Sequence, residues 1–171
     1  MSGSIVVCPL SQLAKTLEES RAGSVVTLLA RGLAATLPLL GSVRHLTIDI
    51  SDITVLQDGH VLAAETHVER LLGFVTAWDR RSPLLIHCYA GVSRSTAAAY
   101  AAFCAVSPGL TEDDIAARLR AASATATPNP RLVALADAAL GRGGRMIAAI
   151  QGIGRGEECF EGAVFHLDLP A

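Results

Sequence analysis

Aromatic side chains are scarce in this 171-residue chain, at 4%, so its core has to be built from aliphatic residues. Lysine is almost absent: Lys15 stands alone beside thirteen arginines. Neither sign of charge dominates, since 14 basic and 16 acidic residues leave a net charge of −2 and a pI near 6.2. Such a chain has no long-range field to hold nucleic acid or an anionic membrane, and neither is expected as a partner. Its longest apolar stretch, Thr96 to Val106, falls well short of the ~20 residues that cross a bilayer. The first residues, Met1-Ser2-Gly3-Ser4, lack the basic and apolar regions of an export signal. Four cysteines, at 8, 88, 104 and 159, form no Cys-x-x-Cys pair. They are expected to be reduced thiols in a cytoplasmic protein, with no metal or other cofactor. What the chain does have is apolar bulk. Apolar residues make up 51% against 18% charged, with a mean hydropathy of +0.43. That suffices for one sizeable core, and at ~150 residues per domain the length favours a single unit over 1–171.

Strand-like and helix-like stretches alternate along the chain. Ile5 to Cys8, closed by Pro9, reads as a buried strand, and Ser11 stands where it can cap a helix carrying Leu13, Ala14 and Leu17. Gly23 breaks that helix, and Ser24 to Ala30 reads as a second buried strand. Arg44 to Ile50 alternates around Leu46, Ile48 and Ile50, a third strand. Val61 to Arg80 has helical spacing through Val68, Leu71, Leu72, Val75 and Trp78. Pro83 opens a fourth strand, Leu84-Leu85-Ile86-His87. Residues 94–106 form a helix apolar nearly all round, hence buried. Thr111 caps the next helix, with Glu112, Asp113 and Asp114 in its first turn. Asn129-Pro130 supplies a cap and a first-position proline for a helix to Leu140. Glycines 141, 143 and 144 set off a short helix at 145–151. The core spans about 5–151, and the tail, 152–171, is irregular, with Ala163 to Leu167 as a candidate extra strand. The pattern predicts an α/β fold: one domain with a mostly parallel central sheet of four to five strands flanked by helices.

The informative stretch is His87-Cys88-Tyr89-Ala90-Gly91-Val92-Ser93-Arg94-Ser95. A buried strand delivers Cys88 into a tight loop, and a buried helix follows. Backbone N–H groups of Tyr89, Ala90, Gly91, Val92 and Ser93 can there converge into a cradle of phosphate size. Arg94 can close the ring with its planar fork of donors. Cysteines beside helix starts and cations ionise more readily, and a thiolate facing a phosphate is a nucleophile.

This spacing, His-Cys-x5-Arg-Ser, resembles the signature of the cysteine-dependent protein tyrosine phosphatases. The short chain, without extra segments for a deep tyrosine pocket, is similar to their dual-specificity branch. The resemblance implies that Cys88 forms a phosphocysteine and Arg94 stabilises the transferring phosphoryl group. Ser95 would assist departure of the thiolate, and His87 would orient Cys88 and favour its ionised form. The leaving group needs a proton, which the family takes from an aspartate upstream. Asp52, just beyond the third strand, is the choice; Asp58, beside Gly59, is the rival, and Asp49 belongs to the strand. Asp52 could equally be a turn or cap aspartate. Thr127-Pro128-Asn129-Pro130-Arg131-Leu132 is similar to a segment of the dual-specificity enzymes, which implies that Asn129 steadies the phosphate loop. The aromatic residue and Gln that usually follow that Asn are missing. The resemblance covers about residues 5–140.

No position between Cys88 and Arg94 is cationic, whereas phosphoinositide phosphatases of this superfamily tend to carry lysines there. The expected substrate is therefore a phosphotyrosine-containing protein, with phosphoserine or phosphothreonine tolerated, or a small phosphomonoester. The alternative is a catalytically weak module that uses the same cradle to dock phosphorylated partners. Arsenate reductases and low-molecular-weight phosphatases carry the loop near the amino terminus, and rhodaneses space the arginine differently. Cys8 and Cys104 read as packed small hydrophobes, either of which could form a disulfide with Cys88 on oxidation. His60 and His67 read as solvent-facing, and Arg142 and Arg145 as part of a solvated loop.

Overall fold

Five short segments rich in Val, Ile and Leu, each bounded by turn residues, form the sheet: β1 (Ser4–Pro9), β2 (Ser24–Leu29), β3 (Arg44–Asp49), β4 (Leu84–Cys88) and β5 (Phe165–Asp168). The computed structural model describes residues 3–37 and 40–170. The strand order is β3-β2-β4-β1-β5. The first four strands are mutually parallel, and β5 runs antiparallel to β1 along the edge. Every residue of β2 and β4 is buried, as expected for parallel strands covered on both faces. The fold is thus a single α/β domain around a mostly parallel sheet.

Two apolar layers follow from the period-2 alternation of the strands. One face carries Val6, Cys8, Val25 and Leu85 against Leu13 of α1 (Leu13–Ser20). The other carries Ile5, Val7, Val26, Ile48 and Ile86 against the remaining helices. Its centre is α3 (Arg94–Val106), in which all but one residue is buried. Ala97, Ala98, Ala99, Ala101 and Ala102 give α3 a thin waist that admits neighbours on every side. Around it stand α2 (Glu65–Thr76), α4 (Glu112–Ala122), α5 (Pro130–Ala139) and α6 (Arg145–Ile153). The core is aliphatic apart from a few rings, of which Tyr100 spends its hydroxyl on the Glu112 carbonyl at 3.1 Å.

Several local expectations need correction. Ser11 lies in a 3-10 turn (Leu10–Gln12) and caps nothing; its hydroxyl donates to Glu161 at 2.6 Å instead. The first helix ends at Arg21, in the left-handed region at φ 53°, rather than being broken by Gly23. The helix expected over 61–80 is only α2, because residues 61–64 are held against the β3 exit by Ser51 and Trp78 turns to donate to the Ser82 carbonyl at 2.8 Å. The last strand begins two residues later than Ala163. Arg142 and Arg145 do not belong to a solvated loop: both donate to the buried Glu112, at 3.0 and 3.2 Å. Arg142 also donates to the Cys104 carbonyl. Two cations on one carboxylate offset its desolvation, which sequence spacing of 30 and 33 residues does not reveal.

Asp137 ties α5 to α6. Its carboxylate accepts from the Gly144 and Met146 N–H groups at 2.7 and 2.9 Å, satisfying donors at the start of α6 that no local side chain caps. Asp137→Ala is expected to cost about 1–3 kcal/mol in urea unfolding, because it strands buried donors. Asp113→Ala, on the exposed side of α4, is the reference and should stay within about 0.5 kcal/mol of the parent.

Candidate active site

The carboxyl end of β4 opens into residues 89–93, and α3 begins at Arg94. This is the end of a parallel sheet at which ligands bind. Gly91 makes the turn possible. Its φ is 70°, and a Cβ there would lie 2.9 Å from the Pro9 nitrogen, so the loop rests directly on the end of β1.

Four of the loop's five carbonyls accept a hydrogen bond from outside it. Tyr89 O accepts from Leu10 N at 3.0 Å, Ala90 O from Gly162 N at 2.8 Å, Val92 O from Thr127 N at 2.9 Å and Ser93 O from Asn129 N at 3.1 Å. None of the N–H groups of residues 89–93 donates to a protein acceptor among the described residues. In a trans peptide the C=O and the next N–H point opposite ways, so carbonyls pulled outward turn N–H groups inward. The result is a backbone nest for an anion at the start of a buried helix.

Arg94 forms one wall. It is 7% exposed, and its Nη1 donates to the Ile50 carbonyl at 2.9 Å, which fixes the guanidinium from the end of β3. Its Nε is buried with no hydrogen-bond partner among the described residues. An unmet charged donor of this kind is costly unless a ligand oxygen satisfies it. Cys88 lies at the floor, 2% exposed, with its Sγ 3.1 Å from the Ser95 Oγ. His87, on the opposite face of β4, is fully buried. Its Nδ1 lies 3.4 Å from the Cys88 carbonyl and its Nε2 2.7 Å from Thr27 Oγ1. Burial lowers its pKa to about 4, so the ring is neutral.

Asp52 is exposed on the segment that leaves β3 and reaches the rim of the loop. Its Oδ1 accepts from Ser93 Oγ at 2.7 Å and from Asn129 Nδ2 at 2.9 Å. Asn129 is a three-way joint: its Oδ1 caps α5 through the N–H groups of Arg131 and Leu132, and its backbone N–H holds the Ser93 carbonyl. Asp58 and Asp49 are both exposed, Asp58 in the turn before His60, and neither makes a hydrogen bond to this loop. His60 is exposed, but His67 is not free in solvent: its Nδ1 accepts from Ala64 N at the start of α2. No group of three or more metal-ligating side chains occurs among the described residues.

Cys8 and Cys104 are buried, and burial pushes both thiols up to about 12. Cys8 belongs to the α1 face of the sheet and Cys88 to the α3 face. Cys104 lies ten residues beyond Arg94 along α3, roughly 15 Å at the helical rise. In the structure Cys8, Cys88 and Cys104 are all free thiols. The part of the site that sequence reasoning missed is the tail. A cavity of about 730 Å³ opens beside Asp52, Val92, Ser93 and Thr127, and its far wall carries Arg155, Glu157, Glu158, Cys159 and Phe160 of the tail. Gly162 holds that wall down, with a Cβ there 3.0 Å from the Gly91 carbonyl.

No protein-family model and no curated protein matches the sequence. Solved structures do. Human DUSP28 superposes with a TM-score of 0.61 at 18% identity, over 78% of this chain and 86% of that one. The human tyrosine phosphatase-like serine/threonine/tyrosine-interacting protein gives 0.62 at 17%, over 81% and 91%. The phosphatase domain of Yvh1 from Chaetomium thermophilum gives 0.57 at 19%, over 83% and 93%. The chain has the dual-specificity phosphatase fold. On that phosphatase fold the resemblance read from residues 87–95 coincides with the strand-loop-helix just described.

The neutral, buried His87 makes stability depend on pH. Unfolded, the ring titrates near 6.5; folded, near 4. Between those values the unfolded chain binds a proton that the native state refuses, so stability is full above about pH 6.5 and falls as pH drops toward about 4. The full window is worth about 3 kcal/mol. Urea unfolding across this range should show that slope, and His87→Gln should reduce it, leaving the part that His45 and His67, also lowered by burial, contribute in the same direction; an unchanged slope in the variant would contradict the assignment.

Proposed function

We propose that this protein is a phosphoric monoester hydrolase acting through a phosphocysteine, with protein phosphotyrosine as its leading substrate. The observation that carries the reading is the polarity of residues 89–93: four carbonyls tethered outward and, among the described residues, the loop N–H groups unspent and the buried Arg94 Nε without a partner. Such a cradle suits the three equatorial oxygens of a phosphoryl group in transfer. In the first step the Cys88 thiolate attacks phosphorus, an S–P bond forms, and the ester O–P bond breaks. The leaving oxygen takes a proton from the Asp52 carboxyl, which the Ser93 and Asn129 bonds hold at the rim. Arg94 and the loop N–H groups bear the charge that develops on the equatorial oxygens. In the second step water attacks phosphorus, Asp52 takes its proton, and the S–P bond breaks. Ser95, 3.1 Å from the sulfur, donates to the departing thiolate.

The surroundings favour a monophosphate carried on a protein side chain or small molecule. The cradle holds one cationic side chain. The adjoining cavity carries Asp52, Glu157 and Glu158 against a single Arg155, itself 3.6 Å from Glu158. A multiply phosphorylated head group meets repulsion there, whereas an aryl phosphate meets the exposed rings of Tyr89 and Phe160. PTPMT1, another structure of this fold at 14% identity and TM-score 0.56, was solved with the phosphoinositide PI(5)P. Phosphotyrosyl peptides should therefore outpace PI(5)P in kcat/KM here, and a reversed order would overturn the substrate assignment.

The reaction is tested with p-nitrophenyl phosphate in the presence of EDTA. Turnover should survive EDTA and vanish in Cys88→Ser. Asp52→Ala should lower kcat by about 100-fold or more and flatten the basic limb of the pH profile. A wild-type protein that binds vanadate yet turns over nothing would instead make the cradle a docking module for phosphorylated partners.

A further inference from the structure

Three polar side chains form a line across the sheet that the chemistry above does not use. His87 on β4, Thr27 on β2 and His45 on β3 are joined by two short contacts: His87 Nε2 to Thr27 Oγ1 at 2.7 Å, and Thr27 Oγ1 to His45 Nε2 at 2.8 Å. Thr27 and His87 are fully buried, whereas His45 is exposed on the edge strand. Thr47 Oγ1 stands 3.4 Å from the same His45 nitrogen.

Each of these bonds has one direction. The Cys88 carbonyl only accepts, so the nearby His87 Nδ1 carries the ring's proton. Neutral His87 then has a lone pair on Nε2, which must accept, and Thr27 spends its single hydroxyl proton on it. With that proton spent, Thr27 Oγ1 can only accept from His45, which therefore bears a proton on Nε2. The opposite polarity would set a His87 lone pair against the Cys88 carbonyl. A second proton on His45 leaves its Nε2–H in place, so both charge states of the surface ring keep the same polarity.

We propose that Thr27 and His45 are positioning residues: they lock His87 in its Nδ1–H tautomer, and His87 in turn holds the Cys88 carbonyl away from the cradle. The Cys88 carbonyl and the Tyr89 N–H belong to one trans peptide, so this bond turns the first N–H of the nest inward. It is the counterpart, from the β4 side, of the anchors that Leu10, Gly162, Thr127 and Asn129 supply to the later carbonyls. The bonds cross from an edge strand to the strand that bears the nucleophile, and nothing in the His-Cys-x5-Arg-Ser spacing points to them. The role rests on the hydrolysis proposed above only where turnover is the readout.

The test is histidine side-chain 15N NMR on the full chain, with p-nitrophenyl phosphate kinetics beside it. In wild type, His87 should appear as the Nδ1–H tautomer and His45 with a proton on Nε2. Thr27→Val keeps the branched shape but removes the hydroxyl; it should move the His87 signals toward a tautomer mixture and cut kcat about tenfold, with KM within about twofold. Thr27→Ser should restore both. His45→Gln, whose amide can donate in place of Nε2, should stay closer to wild type than His45→Leu, and being at the surface this pair remains readable if Thr27→Val fails to fold. A wild-type His87 protonated on Nε2, or one whose signals ignore the loss of the Thr27 hydroxyl, would overturn the proposal. If no phosphomonoester is turned over, the hydrolysis reading fails on its own while the tautomer measurement still decides the relay.

Discussion

Five peptide groups turned the same way are the constraint on which this structure hangs. A loop between a strand and a helix has no reason of its own to aim its N–H groups at one point, because like dipoles crowd one another there. It does so here because separate parts of the chain pull the carbonyls outward: Leu10 after β1, Thr127 and Asn129 before α5, Gly162 in the tail, and His87 beneath Cys88. The antiparallel pairing of β5 with β1 and the tight seat of Gly162 on Gly91 thus serve the site as well as the edge of the sheet. The unspent donors are a local cost that a bound anion removes.

The same logic places a buried cation. Arg94 could not stay in the interior without support, and the Ile50 carbonyl at the end of β3 gives it a fixed bearing. Asp52 follows two residues later and is clamped by Ser93 and Asn129. The segment leaving β3 therefore delivers two elements of the site, the Ile50 carbonyl and the Asp52 side chain. Far from the cradle, the half-buried Arg142 and the exposed Arg145 both pair with the buried Glu112, which links the α4 and α6 ends of the helical layer.

Much of this was legible in the sequence because it is local. The parallel strands, the buried α3 and the capped α4 and α5 follow from short-range patterns of apolar and capping residues. Cys88, Arg94 and Ser95 could be placed together because one loop and one helical turn span them. Contacts between distant segments were invisible. Ser11 looked like a cap but is drawn to Glu161, 150 residues away. Arg142 and Arg145 looked solvated but meet Glu112, and His67 looked solvent-facing but accepts the Ala64 N–H. The tail read as irregular, yet it closes one wall of the cavity next to Asp52, since backbone bonds such as Glu157 to Ala124 leave no trace in residue type. The structural likeness to dual-specificity phosphatases, at 13–20% identity, lies in the same layout of sheet and helices.

The most direct test of the central claim is an amide and guanidinium NMR titration with vanadate. The N–H groups of Tyr89, Ala90, Gly91, Val92 and Ser93 and the Nε–H of Arg94 should shift together along one binding curve, as the donors of a single nest filling with one anion. Vanadate that leaves these six signals in place, or that shifts them along unrelated curves, would contradict the account.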